Sequence, residues 1–234
     1  MPPVAAPPRR LRLLDTDGRP LHVTWRYDRA EFVADAVVHA LGIVLGLCGA
    51  AAMLVIASRT GRTAEVAAVA IYSVGLIGLF TASALYNMWP VSRTKWVLRR
   101  FDHAFIFILI AATYTPFMTR FPATASGIAL CIGVWAVAIG GAALKLALPG
   151  RFDRFSIVLC LLLGGSGALA WDTVSAALPA STLALIMAGA LVYAAGVIFH
   201  LWEGLRFQNA VWHGFVLVAS AIFYGAILDG VVLA

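Results

Sequence analysis

The sequence predicts an all-α fold: a bundle of seven transmembrane helices, with the N-terminus cytoplasmic and the C-terminus outside. Three observations predict it. Hydrophobic residues fill 62% of the 234 positions and charged residues only 12%, which is more apolar surface than a soluble domain of this length can bury. The apolar residues gather into seven runs of about 20, the length a helix needs to cross the hydrocarbon core. Lys and Arg, finally, are sorted to one side of those runs.

Residues 1–30 read as a basic, Pro-rich cytoplasmic tail, and residues 31–234 as the membrane domain. The tail has no apolar core of signal-peptide length. The first run is therefore expected to serve as an uncleaved insertion signal. The runs lie near 35–58, 64–88, 102–119, 123–146, 154–172, 181–202 and 209–230. Pro116 should end the third, because proline removes a donor and clashes with the preceding turn. The fifth, interrupted by LGGSG, is the weakest. In the first, Gly42 and Gly46 form a GxxxG that permits close helix approach. Cys48, Cys131 and Cys160 lie inside apolar runs without metal-ligand spacing, and are expected to be buried packing residues.

Orientation follows from the basic residues. The N-terminal segment and the second, fourth and sixth loops carry fourteen Lys and Arg, against Arg59, Arg62 and Arg120 on the other face. Nucleic acid is not an expected partner, since this charge pattern is that of membrane topology. Membrane lipid is. The expected location is a bacterial plasma (inner) membrane, as a multi-pass protein. The sequence specifies neither a protein partner nor an oligomeric state.

With that orientation, the unusual polar residues share one depth. Glu31, Asp35 and His39 open the first run, Ser83 and Asn87 close the second, Asp102 and His103 open the third, and Asn209 and His213 open the seventh. Spacings of four put Glu31, Asp35 and His39 on one stripe, and likewise pair Ser83 with Asn87 and Asn209 with His213. Ionisable groups at membrane depth are costly and normally face the bundle interior, which makes this layer a candidate site. Asp102 and His103 are adjacent and point about 100° apart, so only one looks straight into the layer. Asp102 is the choice.

Four stretches carry a family resemblance: EFVADAVVHALG, SALYN, FDHAFIFILIAATYTPF and NAVWHGFVLVAS. In this order and spacing the chain resembles the hemolysin III branch of the progestin and adipoQ receptor family, within a wider group of seven-helix membrane hydrolases that includes alkaline ceramidases. The resemblance implies a zinc site near the cytoplasmic face. Its pattern has Ser-x-x-x-His ending the second helix, Asp opening the third and His-x-x-x-His on the seventh, with three histidines on the metal and the Ser and Asp near its water. Ser83, Asp102 and His213 match. Asn87 and Asn209 each stand where the pattern has a zinc-binding histidine.

Asparagine does not ionise and offers a hard, neutral oxygen, poorly suited to zinc. The expectation is therefore a hemolysin III-like protein that has lost the family zinc, has no cofactor, and acts in lipid binding or membrane homeostasis. In that reading Asn87, Asn209, Asp102 and His213 form a hydrogen-bonded clasp between helices. The alternative is a metal-dependent hydrolase of a lipid amide or ester, with Ser83 and Asp102 catalytic. It needs a rebuilt zinc site in which His39 and His103 join His213. A pore is the third reading, disfavoured because the middle third of every run lacks charge.

Overall fold

The computed structural model describes residues 28–148 and 150–234, and the described residues form helices and turns without a strand. The expected tail lies outside them except for Asp28, Arg29 and Ala30. Eight α-helices follow: α1 Arg29–Arg59, α2 Thr63–Met88, α3 Arg93–Met118, α4 Ala125–Ala147, α5 Asp153–Gly164, α6 Trp171–Ala177, α7 Ala180–Leu201 and α8 Gln208–Ile227. They make seven apolar spans, since α5, a 3-10 turn at Ser166–Ala170 and α6 together form the fifth. Neighbours in sequence pack side by side, and contacts of α5 with α7 and of α8 with α1 close the ring.

Helix starts come from capping that a hydropathy count does not register. The Asp28 side chain accepts from the Glu31 amide at 2.8 Å while Glu31 Oε2 accepts from the Asp28 amide at 2.9 Å, a reciprocal capping box. The Ser92 hydroxyl accepts from the Lys95 amide at 3.3 Å, so α3 begins nine residues before its apolar run. At the other end α3 continues through Pro116 to Met118. The helix thus ends two residues later than expected: proline lacks only its own donor, and Thr119 N–H closes the turn on Pro116 O at 3.1 Å.

α1 buries one narrow stripe, Asp35, His39, Gly42, Gly46, Ala50, Met53 and Ala57. This three-and-four spacing is one helix face, and Val33, Val37, Leu41 and Val44 point outward as a lipid-facing surface does. Cys48 lies off the stripe and is exposed, which corrects its expected burial; Cys131 and Cys160 are half-buried. At Gly42 and Gly46 the ring of Phe80 from α2 lies where side chains would stand, 2.9 and 3.3 Å from an added Cβ. The GxxxG is therefore an intramolecular seat for Phe80.

α2 is the central helix, with 56% of its apolar window buried against 17% in the fifth and sixth spans. Across α3 and α4 the fit is tight. A Cβ added at Gly141 would stand 2.5 Å from Phe107 Cδ1, and Phe107 is only 1% exposed, so its ring has nowhere to swing. Gly141→Ala should cost about 1–3 kcal/mol by overpacking, read as a lower thermal midpoint in mild detergent. An unchanged midpoint would show that α3 and α4 separate freely.

The weak fifth span breaks at its Gly164-Gly165 pair. Interruptions of a helix inside a bilayer survive where other groups satisfy the freed backbone. Tyr114 of α3 does this: its hydroxyl donates to Gly164 O at 2.7 Å and accepts from Gly167 N–H at 3.0 Å.

Candidate functional site

The starts of α1, α3 and α8 and the end of α2 meet at one end of the bundle. Lys95 fixes the end of α2: its buried ammonium donates to the carbonyls of Tyr86 and Asn87, each at 2.9 Å, and of Trp89 at 3.0 Å. These are the orphan acceptors that every helix C-terminus leaves. Glu31 fixes the start of α8, because its Oε1 accepts from Phe207 N–H at 2.9 Å. Phe207 has φ of 62°, a left-handed conformation uncommon for a side chain of this bulk. Asp28 adds an ion pair with Arg206 at 3.3 Å, and the Glu31 amide and that guanidinium hold the Asp28 carboxyl below its usual range.

Between these fixed ends the α1 stripe meets α8. His213 Nδ1 donates to Asp35 Oδ1 at 2.6 Å. The other ring nitrogen, Nε2, is 3.4 Å from Ser83 Oγ. His39 stacks obliquely on His213, with ring centroids 4.4 Å apart, and its Nε2 is 3.5 Å from Asp35 Oδ2. Asn87 Nδ2 donates to Ser83 O at 2.9 Å and to Ser83 Oγ at 3.3 Å. Asp102 is buried, with Ser83, His39 and His213 in its electrostatic surroundings.

Of the sequence candidates, the fold thus brings together His213, His39, Ser83, Asn87 and Asp102. Asn209, Asn87, Asp35 and Glu31 line a small adjoining cavity of about 60 Å³, room for several waters. His103 turns the other way. Its electrostatic neighbours are Arg99, Lys145, Asp153 and His200, where Asp153 pairs with Lys145 at 2.6 Å and Arg99 at 3.0 Å. The interhelical tie also differs from the expected clasp. It runs from Asp35 through His213 to Ser83, while Asn87 bonds within its own helix. Asp35 is visible in the sequence only as the middle of a polar stripe.

The donor chemistry suits a divalent ion. Asp35, His39 and His213 each offer one ligand atom, all within 4.8 Å of one another. Two histidines and a carboxylate form a recognised zinc set with an open position. His39 Nε2 is buried and, beyond its 3.5 Å contact with Asp35 Oδ2, makes no hydrogen bond, a looseness that coordination would relieve.

The family profile described as "Haemolysin-III related" matches residues 30–224. The chain is 30% identical to "Hemolysin-3 homolog" of Bacillus subtilis (strain 168) over 198 residues, covering 85% of this chain and 93% of that protein. To "Hemolysin-3" of Bacillus cereus it is 31% identical, covering 85% and 90%. It is also 28% identical to human "Monocyte to macrophage differentiation factor", covering 84% and 83%. The matched region holds every residue of the site.

Proposed function

The chain belongs to the haemolysin-III related family, the hemolysin III branch of the progestin and adipoQ receptor family, and we infer that its polar site hydrolyses an amide or ester bond of a membrane lipid. The carrying observation is the convergence of Asp35, His39 and His213, with the buried Nε2 of His39 meeting Asp35 Oδ2 at 3.5 Å without a hydrogen bond. On the orientation predicted from Lys and Arg, this end faces the cytoplasm of a bacterial plasma membrane.

Asp35, His39 and His213 would hold zinc, with Asp35 and His39 supplying what Asn87 and Asn209 do not. Bound there, the ion supplies Lewis-acid polarisation of a carbonyl and activation of water. The remaining groups belong to the chain. Asp102, buried beside Ser83 and His213, accepts a proton as general base. Ser83 and Asn87 place a hydroxyl and an amide donor where an oxyanion develops. Glu31 and Phe207 hold the α7–α8 loop against the cavity. The lipid-facing surface leaves acyl chains in the bilayer while the reacting carbonyl reaches the polar layer.

The test is zinc content by mass spectrometry of protein purified in mild detergent without a chelator or a His tag. Wild type should carry near-stoichiometric zinc and His39→Ala should fall to background. Zinc at background in both would remove the metal from this reading. Asn87 and Asn209, both lining the cavity, favour a second reading: a metal-free protein that binds lipid and supports membrane homeostasis. Background zinc together with a stoichiometric co-purifying lipid and no turnover would select it.

A further inference from the structure

We propose that the corner where α3, the α4–α5 loop and α5 meet binds the phosphate headgroup of an anionic phospholipid, with Arg100 as its principal cation. The inference rests on neither the metal nor the hydrolytic reading, and it concerns the side of α3 turned away from Asp102.

One carboxylate builds the corner. Asp153, the first residue of α5, accepts from Lys145 Nζ of α4 on Oδ1 at 2.6 Å and from Arg99 Nη2 of α3 on Oδ2 at 3.0 Å. Both oxygens are engaged, and three helices are fastened at one level. Against this single acid the same corner also carries Arg100, Arg151 and Arg154, none of which has an ion pair among the described residues.

Membrane topology accounts for Arg151 and Arg154, which are exposed and reach water. It does not account for Arg100. That side chain is half-buried, and its Nε is shut off from solvent without a hydrogen-bond partner. A buried, unpaired donor on a charged group is costly. Because the side chain as a whole still reaches the surface, an oxyanion can dock on the guanidinium and take up that donor. Guanidinium and phosphate match in bidentate pairs.

Position selects the anion. Arg100 points about 160° round α3 from Asp102. Its own face continues through Ala104 to Phe107, the ring that lies where a Gly141 side chain would stand. Arg100 therefore stands at the mouth of the α3–α4 seam, two residues before the third apolar run, which is headgroup depth. Beside it Val97 and Phe101 are exposed, and after α4 the chain turns out Phe152 and Phe155, each 56% exposed. Phe152 holds a left-handed φ of 59°, uncommon for so bulky a residue, while its carbonyl accepts from Ser156 N–H at 2.8 Å and Ser156 Oγ at 2.9 Å. Cations at headgroup depth bordered by exposed apolar side chains fit a molecule with a phosphate head and acyl tails. A free phosphate has no use for the rings, and an acidic protein segment does not lie among acyl chains.

The experiment is a lipid titration of the full-length protein in detergent, read by native mass spectrometry as the fraction carrying lipid. Phosphatidylglycerol is compared with phosphatidylcholine of the same acyl chains. Wild type should prefer phosphatidylglycerol at least about fivefold, and less so as ionic strength rises. Arg100→Gln should lose most of that preference and Arg100→Lys should keep part of it. Arg59→Gln, at the other end of the bundle, should keep all of it. The preference is a ratio within each variant, and a thermal transition verifies that each is folded. Should Arg100→Gln not fold, Arg151→Gln combined with Arg154→Gln carries the same expectation. Equal retention of the two lipids by wild type, or an unchanged preference in the folded variants, would overturn the site. Stabilisation of wild type by inorganic phosphate to the same extent as by phosphatidylglycerol would assign the corner to a free anion and sink the lipid.

Discussion

His213→Ala should reduce turnover of a long-chain lipid amide or ester by about 1,000-fold or more, and in the same protein bring zinc to background. His213 is the side chain on which the site converges. Its Nδ1 meets Asp35 at 2.6 Å, its Nε2 faces Ser83 at 3.4 Å, and its ring lies 4.4 Å from that of His39. Alanine also opens a gap between α1 and α8, so His213→Gln is the companion variant. It keeps volume and a hydrogen-bonding end but lacks a nitrogen that is basic, and it should show the same loss with a wild-type thermal midpoint. The measurement is fatty acid release from labelled lipids in reconstituted vesicles. A His213→Gln protein with full turnover would take this site out of the chemistry.

Glu65→Ala should destabilise the bundle by about 3 kcal/mol without touching that chemistry. Glu65 opens α2 at the opposite end, roughly 27 Å along the helix from Ser83 at 1.5 Å per residue. It is 5% exposed and pairs with Arg62 at 2.9 Å and Arg120 at 3.5 Å. Both guanidiniums then reach the carbonyls of Val231 and Ala234 beyond α8, so one carboxylate clamps the α2 start, the end of α3 and the last turn of the chain. Breaking such a pair leaves cations partly buried and uncompensated, at a cost of about 3–5 kcal/mol. The lower end applies because the Arg62 side chain is 39% exposed and screened by water. Thermal unfolding in detergent reads this directly, and an unchanged midpoint would leave the clamp without a role. Zinc content should stay at the wild-type level.

These two expectations differ in how far the sequence alone leads to them. The charge asymmetry marks Arg62 and Arg120 as rare basic residues on the opposite face, but nothing in the spacing shows that they converge on Glu65. Those residues are separated by one long helical hairpin, and only its packing brings them together. Lys95 is similar. By sequence it is one more basic loop residue; in the fold it is the buried cap of α2.

The sequence by itself determined the seven spans, because apolar runs of bilayer length have no other stable home and must satisfy their backbone internally. It also determined the family and the polar layer, since residues four apart share a helix face whatever that helix packs against. Periodicity states which residues share a face; it says nothing about which helix that face meets, or which nitrogen of a ring points where. The rotation of α8 against α1, held by Glu31 on the Phe207 amide and by Tyr224 Oη on Gly49 O, decided that His213 meets Asp35. Adjacency in the third run decided equally little: Asp102 and His103 diverge, and only the packing of α3 between α2 and α4 sends one to Ser83 and the other toward Asp153.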